Sequence, residues 1–249
     1  MTATMPDSIP WSERFYYALR PFLVPGLRNS QYDYADVLLR ESVAAHAWLD
    51  IGCGHDVVPA WVDHPAKHLR PLAGIDLDFE ALQRNTQVRW RVSASGEALP
   101  FRAGSFDLVT ANMVVEHVLT PESLFREVSR VLRPGGRFVV HTPNVHGYTT
   151  VLTRLIPAGL RARVASKLQG RAVEDVYPTH YRANAVDTVR ALATLTGFKV
   201  TDLACVLSSP QLLNLPPLLV PELLVLRAVS TSRLAKWRPC LLATLENRP

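Results

Sequence analysis

Five short apolar runs punctuate the first part of the chain, at 47–51 (AWLDI), 72–76 (LAGID), 88–92 (VRWRV), 106–111 (FDLVTA) and 137–142 (RFVVHT). Runs of this length, bounded by turn residues, predict strands buried in a parallel sheet, alternating with helices. The firmest predicted helix starts with Thr120 as N-cap and Pro121 at the first helical position. It carries Leu124, Val128, Val131 and Leu132 on one face and stops at Arg133-Pro134-Gly135-Gly136. Further on, AVDTVRALATLTGF (185–198) predicts an amphipathic helix ending at Gly197, and strands are expected at 198–204 (FKVTDLA) and near 240–245 (CLLATL). A βα array with a closing strand pair is the pattern of an α/β doubly wound sheet, mostly parallel, with helices on both faces.

Three stretches fall outside that alternation: 1–45, 144–184 and 206–238. They predict caps. The first holds YYALRPFLVPGL and QYDYADVLLRESV, read as helices across the mouth of the sheet. The third, SSPQLLNLPPLLVPELLVLRAVS, is almost uncharged and interrupted by Pro210, Pro216, Pro217 and Pro221, which argues against one straight spanning helix. A buried cap and a membrane-surface or lipid-gripping segment at 206–230 are both open readings of it. The expected organisation is one domain over 1–249: an N-terminal helical cap (1–45), a ligand-binding core (46–143), a substrate-side cap (144–184), and a C-terminal helix and strand pair (185–249) carrying the apolar insertion 206–238.

Composition narrows the class without naming it. With 249 residues, 48% of them hydrophobic, the chain can bury a substantial core. The formal net charge of +5 is spread thinly; only Arg154, Arg161, Arg163, Lys167 and Arg171 gather cations, which suits phosphates, an anionic surface or simply a solvated helix face. No basic stripe interleaved with aromatics appears, so nucleic acid is disfavoured as a partner. Cys53, Cys205 and Cys240 lack metal-binding spacing, so neither a metal site nor a disulfide framework is expected. The N-terminus does not read as a secretory signal and no run of 18 apolar residues occurs, so a cytoplasmic protein is expected, with contact at the inner face of the membrane left open. The oligomeric state is not legible.

The chemistry concentrates at the ends of the first two predicted strands. Ligands of doubly wound sheets sit at the carboxyl ends of the strands, where the strand order reverses. Here Asp50 lies in an apolar strand followed by Gly52-Cys53-Gly54, and the two glycines let the backbone turn tightly and approach a ligand closely. Asp76, 26 residues after Asp50, ends the second strand, where a carboxylate can take both hydroxyls of a ribose. Val57 occupies the place of the third glycine of a dinucleotide fingerprint, so a nucleoside without phosphates fits better than NAD.

At this point the chain resembles class I (Rossmann-like) S-adenosylmethionine (SAM)-dependent methyltransferases, of the bacterial group with an LDIGCG first motif. Four motifs stand in that family's order: Trp48–Gly54, Gly74–Asp78, Glu97–Phe101 with Ser105–Val109, and Glu127–Gly136. They span about residues 46–143. The resemblance implies a seven-stranded sheet and SAM as cofactor, with Asp50 near its amino group, Gly52, Cys53 and Gly54 along its methionine part, and Asp76 on its ribose. It further implies Leu77, Ser95, Gly96 and Glu97 at the adenosyl end and Asn112 beside the cofactor; Phe101 is either a second flank of the adenine ring or a core residue. Two departures stand out: Ser95 replaces a frequent acidic residue, and His55-Asp56 follows the glycines where small residues are usual. Glu174–Arg182 resembles a substrate-side segment.

A methyl acceptor that is a hydroxyl or acidic carbon needs a base, and His117, His141, His146 and His180 are candidates. His117, at the carboxyl end of the fourth core strand, ranks first as catalytic base, and His141, Tyr181 and Arg182 are expected at the substrate, Arg182 suiting a carboxylate or phosphate. The expected function is O- or C-methylation of a small-molecule or lipid-linked acceptor, with N-methylation open. Alternatives are a SAM-binding protein without catalysis acting as a regulatory or membrane-surface partner, an NAD-dependent oxidoreductase, and a nucleic-acid methyltransferase.

Overall fold

The computed structural model describes residues 11–156, 178–213 and 215–248. Seven strands form one sheet: β1 (Trp48–Ile51), β2 (Ala73–Asp76), β3 (Trp90–Ser93), β4 (Phe106–Asn112), β5 (Leu132–Pro143), β6 (Phe198–Val206) and β7 (Cys240–Asn247). Their spatial order is β3-β2-β1-β4-β5-β7-β6, parallel except for β7, which runs antiparallel between β5 and β6. The helices are α1 (Trp11–Leu23), α2 (Ser30–Ser42), α3 (Phe79–Arg84), α4 (Pro121–Val131), α5 (Tyr148–Leu155), α6 (Val186–Leu195) and α7 (Pro216–Ser230).

The sheet is covered on both faces, which is why its central strands read as unbroken apolar runs. All four residues of β1 are buried, between β2 and β4. On one face α4 lays down Leu124, Phe125, Val128 and Val131, and α6 adds Val189 and Ala193. Phe125 meets Phe138 of β5 edge-on at 5.4 Å between ring centres, an arrangement worth about 0.5–1.5 kcal/mol beyond the area it buries. On the other face α2 contributes Tyr34, Ala35, Val37 and Leu38, packed with Val57, Val58 and Val62. A third, separate cluster joins α1, α5 and α7 through Tyr16, Leu27, Tyr148, Leu219, Leu223 and Leu226.

Several expectations need correction. VRWRV does not make a buried strand: β3 is the sheet edge, with Trp90 53% exposed, because nothing pairs beyond it. Strict alternation with helices fails twice. Only a short 3-10 turn (Pro65–His68) lies between β1 and β2, and no helix joins β3 to β4. Thr120 occupies the N-cap of α4, but its hydroxyl makes no capping bond; the Glu97 carboxylate instead accepts the Thr120 N–H at 2.5 Å. The RPGG stop leads straight into β5 through an irregularity in its pairing with β4. Within 206–238, Pro210 lies in the loop after β6, and α7 is a 15-residue helix, started by Pro216 and Pro217 at positions whose N–H groups have no helical partner to lose, with Pro221 tolerated inside it; as expected, the segment is not one spanning helix. Among the described residues no helix is long and apolar enough to cross a membrane. Arg161, Arg163, Lys167 and Arg171 of the basic group, and 174–177 of the substrate-side segment, lie outside the described residues.

Candidate active site

The carboxyl tips of β1, β2 and β4 converge where the chain order reverses, between β1 and β4. The turn after β1 is bound to β2, since the N–H groups of Gly52 and Cys53 both donate to the Ile75 carbonyl, at 2.8 and 3.0 Å. Asn85, fully buried after α3, clamps the turn: its amide donates to the carbonyls of Cys53 and Gly54, both at 3.0 Å, and its oxygen accepts from Gln87 N–H at 2.8 Å and Val88 N–H at 3.2 Å. Sequence reasoning missed Asn85, because a single Asn after a short helix looks like an ordinary helix end.

The two glycines differ. Gly52 has φ +66°, and a Cβ there would lie 2.3 Å from Cγ2 of Val114, so the protein's own side chain uses its bare α-carbon. Gly54 has φ +44°, and nothing lies within 4 Å of the position a Cβ would take. The Cβ side of Gly54 is therefore open to a ligand, whereas that of Gly52 is taken by Val114. Cys53 is tied into the fold: its side chain is buried with Sγ 2.7 Å from where a Gly74 Cβ would stand, its N–H donates to the Ile75 carbonyl and its carbonyl accepts from Asn85. Burial and the carboxylates of Asp50 and Asp76 push its thiol far above the usual range.

Asp76 ends β2 half-buried. One carboxylate oxygen accepts the Gly54 N–H at 2.8 Å and the other the Asp78 N–H at 2.9 Å. Each oxygen keeps a lone-pair direction for a further donor. Leu77, 74% exposed beside it, offers an apolar surface at the tip of the sheet. Ser95 accepts the Glu97 N–H at 3.2 Å, closing the turn after β3, and the bare α-carbon of Gly96 fits against Leu124, 2.8 Å from where a Cβ would sit. Phe101 packs against the core, edge-on to Phe106 at 5.1 Å.

Asp50 is buried. It accepts the Thr110 hydroxyl, which in turn accepts Trp48 Nε1–H at 2.7 Å, and desolvation raises its pKa to about 8 despite the Thr110 bond. Beside it, helix α2 closes over β4 and β5. Asn112 and Gln31 pair through their amides at 3.0 and 3.3 Å, and His141 Nδ1 lies 2.8 Å from Asn112 Oδ1. Tyr34 stacks on the His141 ring at 5.5 Å. His141 is fully buried, and burial drives its pKa down to about 3. Expected at the substrate, His141 here lies beneath Tyr34 with no exposed surface. Gln31 and Tyr34 were not singled out in sequence, where the 1–45 segment carries no motif.

His117 closes a 3-10 turn (Val115–His117) after β4. Its Nδ1 lies 2.8 Å from the Pro178 carbonyl, an acceptor only, so in the neutral ring Nδ1 carries the proton and Nε2 the lone pair. Nε2 is 3.8 Å from the Glu116 carboxylate, whose other oxygen accepts the buried Thr142 hydroxyl at 2.7 Å. The Glu116 carbonyl accepts the N–H groups of His180 and Tyr181, at 2.7 and 3.2 Å, which brings the 178–184 segment to this edge. Tyr181 has φ +52°, with the Arg154 guanidinium over its ring at 5.3 Å, and Arg182 donates to the Leu119 carbonyl at 2.7 Å. Sequence-distant His117, Tyr181 and Arg182 thus come together, while His146 is exposed after β5.

A carboxylate with spare acceptor capacity, an unobstructed glycine and an exposed leucine at the switch point suit a nucleoside bearing an amino-acid tail. Sheet order, antiparallel β7 and this site define the class I, Rossmann-like SAM-dependent methyltransferase fold. Residues 49–140, somewhat over a third of the chain, match the family model described as "Methyltransferase domain". The ubiquinone biosynthesis O-methyltransferase of Escherichia fergusonii is 28% identical over 127 residues, 45% of this chain and 52% of that protein. Its namesake from Xanthomonas oryzae pv. oryzae is 31% identical over 126 residues, 47% and 51% of the two chains. The chain spans about half the length of the curated relatives it matches. Among solved structures, a SAM-dependent methyltransferase from Mesorhizobium loti superposes with a TM-score of 0.56 at 19% identity, covering 87% of this chain and 97% of its own. The geranyl diphosphate C-methyltransferase of Streptomyces coelicolor gives 0.53 at 14% identity, covering 87% and 77%. At these identities the likeness is one of fold.

Proposed function

We propose that this chain is a SAM-dependent methyltransferase acting on an oxygen or acidic carbon of a small or lipid-like acceptor. The observation that carries the reading is the pairing, at the strand-order reversal, of the Asp76 carboxylate with the open α-carbon of Gly54. Asp76 takes the ribose hydroxyls, Gly54 lies along the methionine tail, and Leu77 flanks the adenine, with the turn Ser95-Gly96-Glu97 at its edge. Asp50 and Asn112 line the amino-acid end. When bound, the cofactor supplies an activated methyl group on a sulfonium. What the chain adds is alignment for in-line attack and a place for the acceptor's proton.

His117 is the base. The Pro178 carbonyl holds the proton on Nδ1, which leaves Nε2 to accept one from a hydroxyl or acidic carbon. Tyr181 and Arg182 contact the acceptor. The names of the curated relatives, O-methyltransferases of ubiquinone biosynthesis, favour oxygen and an apolar acceptor body.

The test is incubation with radiolabelled methyl donor and fractionated cell extract, followed by identification of the labelled product. Transfer with release of S-adenosylhomocysteine is expected. His117→Ala should slow transfer by about 100-fold or more while binding S-adenosylhomocysteine like the parent. Binding of that nucleoside without transfer to any fraction would move the reading to a non-catalytic SAM-binding protein, and tighter binding of NAD would end it.

A further inference from the structure

We infer that the α1–α7 side of the cap docks onto an anionic lipid bilayer surface. Helix α1 is apolar on two sides. Tyr16, with the partly buried Leu19 and Leu23, packs into the cap's own core. A second flank, Trp11, Phe15 and Phe22, stays in solvent at 64%, 38% and 79% exposure. These residues, with Ala18 between them, recur at helical spacing, so they form one continuous stripe rather than scattered surface apolars.

Helix α7 repeats the pattern. Leu219, Leu223 and Leu226 are fully buried against α1, while Leu218 and Val225, seven residues apart on one side, are 46% and 40% exposed. Arg227 ties the two helices by donating to the carbonyls of Phe22 and Leu23, at 3.3 and 3.2 Å, so the stripes sit on neighbouring elements.

Charge selects the occupant. Over α1, α5, α7 and the turn Ser232–Trp237 the basic residues are Arg14, Arg20, Arg154, Arg227, Arg233 and Lys236. The acidic residues are Glu13 and Glu222, and Glu222 is buried with its carboxylate accepting Tyr148 O–H and the N–H groups of Gln211 and Leu212. Exposed aromatic and leucine side chains on elements whose basic residues outnumber their acidic ones match an interface of acyl chains under anionic headgroups. Neither helix has the length and apolar character of a membrane span, so the contact is a surface one.

The full chain should co-sediment with vesicles of equal parts phosphatidylcholine and phosphatidylglycerol, and at least about tenfold less with phosphatidylcholine alone. Phe15→Glu/Phe22→Glu should lower partitioning to the anionic vesicles by at least about tenfold, since it removes two apolar anchors. Both positions face solvent, so its melting temperature and S-adenosylhomocysteine affinity should match the parent's. A parent that stays in the supernatant with both vesicles overturns the inference, as does a double variant that sediments like the parent. A parent that is dimeric by sedimentation velocity, with the variant monomeric, assigns the face to a second copy instead. Failure to bind S-adenosylhomocysteine would strike the methyltransferase reading and leave this one standing.

Discussion

Gly52 and Gly54 sit two residues apart, yet alanine at each should do different damage. Both have positive φ, so alanine pays about 1–2 kcal/mol of left-handed strain at either. At Gly52 the added methyl also arrives 2.3 Å from Val114 Cγ2, against an ordinary carbon contact of about 3.5–4.0 Å. Val114 is partly buried against the sheet core, so relief requires it to shift by more than 1 Å, an overpacking cost of about 1–3 kcal/mol. Gly52→Ala should therefore lose about 3 kcal/mol, roughly 6–12 °C in melting temperature for a chain of this size, and Gly54→Ala about half of that. Trimming the clashing partner should recover part of the loss. In a cycle of Gly52→Ala with Val114→Ala, the double variant should be about 1–3 kcal/mol more stable than the sum of the singles. Gly54→Ala should stay folded but lose affinity for S-adenosylhomocysteine in calorimetry, because its methyl fills the open flank. Equal melting temperatures for the two glycine variants, with an additive double, would refute the reasoning about Val114. Parent-like nucleoside affinity in Gly54→Ala would refute the assignment of the open flank.

Asp76→Ala should weaken S-adenosylhomocysteine about 10–100-fold by calorimetry, the size of losing charge-assisted bonds to two hydroxyls, and parent-like affinity would remove Asp76 from the ribose. Asp50 gives a pH signature: its folded pKa of about 8 exceeds the usual carboxylate value near ~4, so the folded state holds the extra proton between them. Its contribution is full below that lower value and is lost as pH rises toward 8. Asp50→Asn should accordingly gain in melting temperature relative to the parent on going from pH 5 to pH 8, and a difference independent of pH would show that Asp50 titrates normally. Asn85→Ala leaves the carbonyls of Cys53 and Gly54, the buried Val88 N–H and the partly buried Gln87 N–H without their partner, so a loss of about 2–4 kcal/mol in urea unfolding is expected, with weaker nucleoside binding from a loosened turn. A variant within 0.5 kcal/mol of the parent, roughly the scatter of surface changes, would mean water replaces the clamp.

Local chemistry was enough to announce the sheet. Strands buried on both faces must be apolar throughout, so β1, β2, β4 and β5 could be read from composition alone, and the glycine turn and Asp76 marked which end of the sheet bears the site. The edge position of β3 could not be read, because exposure depends on whether another strand pairs beyond it. Nor could the division of labour between Gly52 and Gly54: a glycine's conformational freedom is a local property, but what fills the space beside it comes from Val114, more than sixty residues away in the chain. The burial of His141 beneath Tyr34, the Gln31–Asn112 bridge and the Asn85 clamp are likewise contacts between segments remote in sequence. Periodicity and turn preference act over a few residues and so can be read along the chain, whereas burial, hydrogen-bond partners and shifted pKa values belong to neighbourhoods that exist only once the chain has folded.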